Sequence, residues 1–222
     1  MFKIPGNNKN DLKMFLKSKW TINILLLVIS LIGGILLYVG FFMDLLPRFL
    51  ANMENVEKNI LAIIIIILSI YTLLKIVLKL DTRVDRYLLF SLYILVLLLG
   101  LLRPDQQHFG ETGLYSWNPV GFLSDIEGDT ASLIVMIINL IIFMPMYFLL
   151  AHTNVLKSFM TRLIGFEVFA FLIEFIQVQL KVGAFDLADI VLYNIGFFVG
   201  YFISLPILKL LKRQSLKSKS YQ

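Results

Sequence analysis

The stretch Leu172–Gly196, LIEFIQVQLKVGAFDLADIVLYNIG, joins two lipid-soluble segments through a short polar turn. It also carries three carboxylates, Glu174, Asp186 and Asp189, two glutamines and Asn194. A carboxylate at membrane depth is costly unless it meets a partner or water, so such residues mark candidate sites. The stretch therefore reads as two antiparallel spanning helices with their polar groups turned inward.

The rest of the chain agrees with a membrane setting. Its 222 residues are 59% apolar, with a mean hydropathy of +0.84, which points to a polytopic membrane protein. A spanning helix needs about 20 mainly apolar residues, because backbone amides in hydrocarbon must bond within the segment. Six runs meet this standard: Thr21 to Met43, Ile60 to Lys79, Tyr87 to Leu102, Ala131 to Ala151, Phe159 to Leu180 and Leu187 to Leu208. The third is short, and Arg86 and Arg103 at its ends can extend their charges to the interfaces. A five-span arrangement with that run re-entrant is the alternative. The first run follows a lysine-rich start, but exceeds a signal peptide's apolar core of roughly 7–15 residues and lacks a small-residue cleavage pattern, so it is expected to remain.

Charge sets the expected orientation. With the N-terminus inside, sixteen lysines and arginines flank the spans on the cytoplasmic side, and only Arg48, Lys58, Arg103 and Lys181 fall outside. The expected fold is all-α, with six transmembrane helices and both termini cytoplasmic in a bacterial plasma membrane. Its parts are a basic N-terminus (1–20), a two-helix extension (21–86), a four-helix domain (87–208) with an external loop (103–130), and a basic tail (209–222). Composition predicts a disordered tail that anchors to anionic lipid. The net charge of +5 is clustered beside apolar runs, which argues for topology and against nucleic acid. No cysteine is present and the two histidines, His108 and His152, are far apart, so no metal or cofactor is expected.

Several polar groups interrupt the spans. The loop 103–130 is long for a structureless connection, and its Phe109, Tyr115, Trp117 and Phe122 suit a segment folded back on the outer membrane surface. In span four, Asn139 brings an amide into hydrocarbon, and Pro145 frees the carbonyl of Ile141 and should bend the helix. In span five, Glu167 and Glu174 lie two turns apart, on a stripe continued by Ala170, Phe171, Gln177 and Lys181. In span six, Asp186, Asp189, Tyr193, Gly196, Gly200 and Ser204 share one helical face, with Asn194 beside it. Gly196 and Gly200 form a GxxxG surface for close helix packing. At about 1.5 Å per residue, Glu174 lies roughly 10 Å and Asn139 roughly 12 Å below the outer helix ends, with Asp189 near the mouth. These groups are expected to converge on an outward-facing pocket roofed by the loop.

Taken in order, Asn118 and Pro119; Asn139, Phe143 and Pro145; Glu174 and Gln177; and Gly183, Asp186, Asp189, Gly196 and Gly200 resemble the motifs of the VanZ-like family. That family is named for a teicoplanin-resistance determinant of Gram-positive bacteria. The resemblance covers about Tyr87 to Leu208. It implies a role in the cell envelope and in tolerance of glycopeptide or lipoglycopeptide antibiotics. The chain departs from the pattern at Ala184, where the family carries arginine, and at Tyr193, where it carries asparagine, with Asn194 displaced by one.

Three functions remain open on the residues. In the first, Glu174 and Asp189 act as polarising or acid/base groups on a membrane lipid or cell-wall intermediate, oriented by Asn118, Asn139, Gln177, Asp186 and Asn194. Whether a bond is broken is left open. In the second, Glu167 and Glu174 relay protons in a small lipid or solute transporter. In the third, the polar groups only join helices and the GxxxG face receives a membrane-protein partner.

Overall fold

A computed structural model describes residues 19–49, 56–102, 115–123, 126 and 130–219. Six of its helices are long and apolar enough to cross a membrane. The chain divides into two compact units, Met1–Leu89 and Phe90–Gln222.

In the first unit, α1 (Lys19–Leu37) runs through a π-helical turn, Tyr38–Phe42, into α2 (Met43–Phe49), and α3 (Val56–Val77) packs beside α1. Gly34 permits that approach, because a Cβ there would come within 2.6 Å of Ile67 Cγ1. The Tyr38 hydroxyl donates to Asn59 Oδ1 across the same interface.

The turn into α4 (Arg83–Leu101) is held by charge. Lys75 Nζ lies 2.7 Å from Asp85 Oδ1, and the amide and hydroxyl of Thr82 both donate to Asp85 Oδ2 at 2.7 Å. Arg86 pairs with Asp81 at 2.6 Å. Buried ions are tolerated only when paired and hydrogen-bonded. This pairing lets α4 begin at Arg83, four residues before the apolar run begins, so the third span is a full 19 residues. Hydropathy alone missed that extension, because it scores Asp85 and Arg86 as isolated charges.

The second unit takes in the rest of α4, then β1 (Tyr115–Ser116), α5 (Thr130–Ile141), α6 (Met144–Thr153), α7 (Phe159–Leu180), β2 (Phe185–Asp186) and α8 (Leu187–Lys219). Span four is interrupted, not merely bent: α5 and α6 are separated at Ile142 and Phe143, with Pro145 in the first turn of α6. The carbonyl of Ile142, one residue beyond the position expected, accepts the Tyr93 hydroxyl at 2.7 Å. Ser158 caps α7 in a reciprocal capping box with Thr161. Helix α8 continues as far as Lys219, beyond the expected end of the sixth span at Leu208.

The core of this unit is aromatic. Phe143, Phe166, Ala170, Tyr193 and Phe197 are buried together, with Phe166 stacked on Phe197 at 4.4 Å and Phe143 against Tyr193 at 4.3 Å. The GxxxG face of α8 is filled from within the chain. A Cβ on Gly196 would collide with the carbonyl oxygen of Leu140, and one on Gly200 with that of Met144. The two glycines therefore seat α8 against the interrupted fourth span, on either side of its break.

Candidate functional site

Among the described residues of this unit, Glu174 is the fully buried charged side chain, with 0% exposure. Its Oε2 accepts the backbone amide of Asp186 at 3.0 Å, and its Oε1 accepts the Tyr193 hydroxyl at 2.9 Å. Both donors are neutral. One comes from β2 and the other from α8, so the carboxyl of α7 joins three consecutive elements.

Chain geometry between α7 and α8 makes this possible. Helix α7 ends at Leu180, and Lys181 takes a left-handed conformation, φ 57°, that reverses the chain. The chain then runs back beside α7 as the extended pair Phe185–Asp186 before α8 starts. Glu174 lies six residues before Leu180, so α8 begins roughly 9 Å below the end of α7 at 1.5 Å per residue. Strand β2 pairs in parallel with β1, matching Tyr115 with Phe185 and Ser116 with Asp186.

Asp186 is therefore not on the helical face of span six, as its spacing implied. It is extended and precedes the first helical residue, and its Oδ1 accepts the Ala188 amide at 2.8 Å as a helix N-cap. One turn on, Asp189 Oδ1 accepts Asn139 Nδ2 at 2.9 Å, tying α8 to α5. Glu174, Asp186, Tyr193, Asp189 and Asn139 thus form one polar constellation at the start of α8.

Other expected residues sit elsewhere. Asn118 is exposed and occupied in a turn, its side chain accepting the Val120 amide at 3.2 Å and its carbonyl accepting that of Gly121 at 3.2 Å. That turn rests near α8, since a Cβ on Gly121 would lie 3.5 Å from Ala188 Cβ. Gln177 donates to the carbonyl of Leu101 at 2.8 Å, closing the end of α4. Asn194 donates to Ile190 O at 3.0 Å and to Glu167 Oε2 at 3.4 Å, so it partners the other acid of α7. The stripe on α7 also breaks at Phe171 and Lys181, which are exposed, whereas Ala170 and Glu174 are buried. Phe171 stands three residues before Glu174 and so about 60° around the helix, at the edge of the inward face.

Of the expected loop, residues 103–114, 124–125 and 127–129, including Phe109, lie outside the described residues. The described part, Tyr115–Leu123, meets the site through β1. Sequence reasoning missed two contributors. Tyr193 was legible as part of the α8 face but not as the donor to Glu174, because a contact between α7 and α8 depends on their stagger. Phe185 gave no polar signal, yet it is buried and its neighbour's amide supports the carboxylate.

Chemically, the constellation fixes one carboxyl by two neutral donors and a second, Asp189, by an amide. Such groups can accept hydrogen bonds from a ligand's hydroxyl or amine, or exchange a proton with it. The family model VanZ/LLP1 matches residues 87–210, more than half of the chain, and takes in every member of this constellation. No curated protein matches the chain. No solved structure matches it either. With over half of its length matched, including all of the polar constellation, the chain belongs to the VanZ/LLP1 family.

Proposed function

We propose that this chain is a cell-envelope protein of a Gram-positive plasma membrane, with both termini cytoplasmic. In this reading, its polar constellation faces outward and binds or acts on a lipid or cell-wall intermediate, raising tolerance of teicoplanin-type antibiotics. Support for the orientation is the excess of lysine and arginine on one side of the spans. Support for the site is one observation: Glu174, wholly buried at the start of α8, is held by two neutral donors, one turn of α8 from the Asn139–Asp189 pair. Two carboxyl groups so oriented are pre-organised for a ligand that brings donors of its own. The direct experiment is Glu174→Gln in a strain whose teicoplanin tolerance depends on this protein. Tolerance should be lost at unchanged protein abundance. Full tolerance at normal abundance would eliminate the role of the carboxylate.

A second reading, a non-catalytic scaffold, draws on the same bonds: both oxygens of Glu174 are satisfied inside the chain, as in a helix-joining contact. Abundance separates the two. A scaffold contact lowers protein levels when removed, whereas a site residue removes tolerance and leaves levels intact.

A further inference from the structure

Four aromatic rings form a continuous strip beside the constellation. It starts at Phe171, 49% exposed on α7, beside the exposed apolar residues Leu172 and Phe175 of the same helix. Phe171 meets the buried Phe185 at 6.1 Å, and Phe185 meets Trp117 at 5.2 Å and Tyr115 at 6.0 Å. Tyr115 and Trp117 stack on one another, at 6.3 Å and 9° between planes. These two rings are 48% and 67% exposed, and Val120 and Leu123 beyond them are exposed too. A patch this size is unfavourable in water. Here it is continuous with the exposed apolar surface of α7, a helix long and apolar enough to cross a membrane.

We propose that the strip of Phe171, Phe185, Tyr115 and Trp117 is a lipid-docking surface, along which the acyl chain of a membrane-resident amphiphile lies, its head group at the Asp186 and Glu174 end of the strand pair. Continuity with the surface of α7 supplies the acyl environment. Owing to the stagger of α7 and α8, the last turn and a half of α7 is flanked by the extended segment instead of by α8. Extended backbone at that depth is tolerated only where protein covers it or polar groups and water reach it, which suits a head group. Tryptophan and tyrosine suit the boundary between the two, with an apolar body and one polar atom. The strand pair connects the parts: Phe185 lies in the strip, and the next amide, that of Asp186, holds Glu174. The head-group end of this proposal rests on the function given above for Glu174; the acyl end does not.

The chain has two tryptophans, so Trp20→Phe leaves Trp117 as the sole reporter. This variant is reconstituted in phosphatidylglycerol vesicles, with and without bromine on the upper part of the acyl chains. Brominated lipid should cause roughly a two-fold loss of Trp117 emission, with weak quenching by aqueous acrylamide, because the ring is in contact with acyl chains. Emission unchanged by brominated lipid and strongly quenched by acrylamide would overturn the proposal. The reciprocal Trp117→Phe variant, reporting from Trp20, verifies insertion of the protein in the same vesicles. Quenching reads the strip and tolerance reads the carboxylate, so the two proposals fail separately. Quenched Trp117 with a fully active Glu174→Gln variant keeps the lipid surface and removes the head-group role.

Discussion

Removing the hydroxyl of Tyr193 tests whether the bond to Glu174 holds the second unit together. Tyr193→Phe keeps the ring that packs at 4.3 Å on Phe143 and removes only the donor at 2.9 Å from Oε1. A buried acceptor left without its partner costs about 1–3 kcal/mol in water-soluble proteins. Between membrane helices, side-chain hydrogen bonds are worth less, about 0.6 kcal/mol on average and up to roughly 2 kcal/mol. Glu174 also keeps the Asp186 amide on its other oxygen, which limits the loss. The expected cost is therefore about 1 kcal/mol, a shift of roughly 2–4 °C in thermal midpoint for a chain of this length. Tyr193→Ala should cost far more, roughly 3–5 kcal/mol, because it also empties an aromatic core position. The measurement is a double-mutant cycle of Tyr193→Phe and Glu174→Gln, followed by thermal unfolding in one detergent. Coupling of about 0.5 kcal/mol or more is expected for groups in contact. Effects that add to within about 0.3 kcal/mol would refute the bond as an energetic link between α7 and α8.

Two more outcomes follow from packing and charge. Gly196→Ala and Gly200→Ala each place a methyl group on a carbonyl oxygen of the fourth span, so each should push α8 off it and lower the yield of folded protein on size-exclusion chromatography, whereas Gly40→Ala, where a Cβ meets nothing within 4 Å, should not. Lys75→Met strands Asp85 beside its Thr82 donors and should cost roughly 3–5 kcal/mol; adding Asp85→Asn, which removes the charge and keeps an acceptor, should recover much of the lost thermal midpoint.

What was legible in the sequence depended on how local each signal is. Span existence follows from runs of apolar residues, and the fifth span, Phe159–Leu180, has the same bounds in the sequence reading and in the structure. The start of α4 was missed because its charges are neutralised by a partner ten residues away, Lys75 to Asp85, which a window of hydropathy cannot see. In the fourth span, the effect of Pro145 was legible, but the carbonyl it leaves open was not, since Tyr93 comes from a different helix. The site shows the same limit. Glu174 was singled out because an acid in a span has few ordinary uses, whereas Asp186 was placed on a helix face by a period that does not apply to it. Its segment is extended, since its amide goes to Glu174 and its side chain caps α8.

The glycine pair sharpens the choice between a scaffold and a ligand site. A GxxxG surface left open toward lipid would have favoured a partner protein, but here the carbonyl oxygens of Leu140 and Met144 occupy both positions. The close approach they allow fixes the height of α8 against the fourth span. Asp189 then stands opposite Asn139, and Tyr193 one turn further on points to Glu174. Packing thus sets the height of α8 at the same level as the polar groups do. A buried carboxyl still carries a desolvation cost that an apolar residue of similar size would not, and apolar replacement of buried ionic groups is often neutral or stabilising. A Glu174→Met variant that is folded, as abundant as the parent and no less stable would therefore show that Glu174 is dispensable for assembly. Loss of tolerance in that same variant would then assign the carboxylate to a ligand.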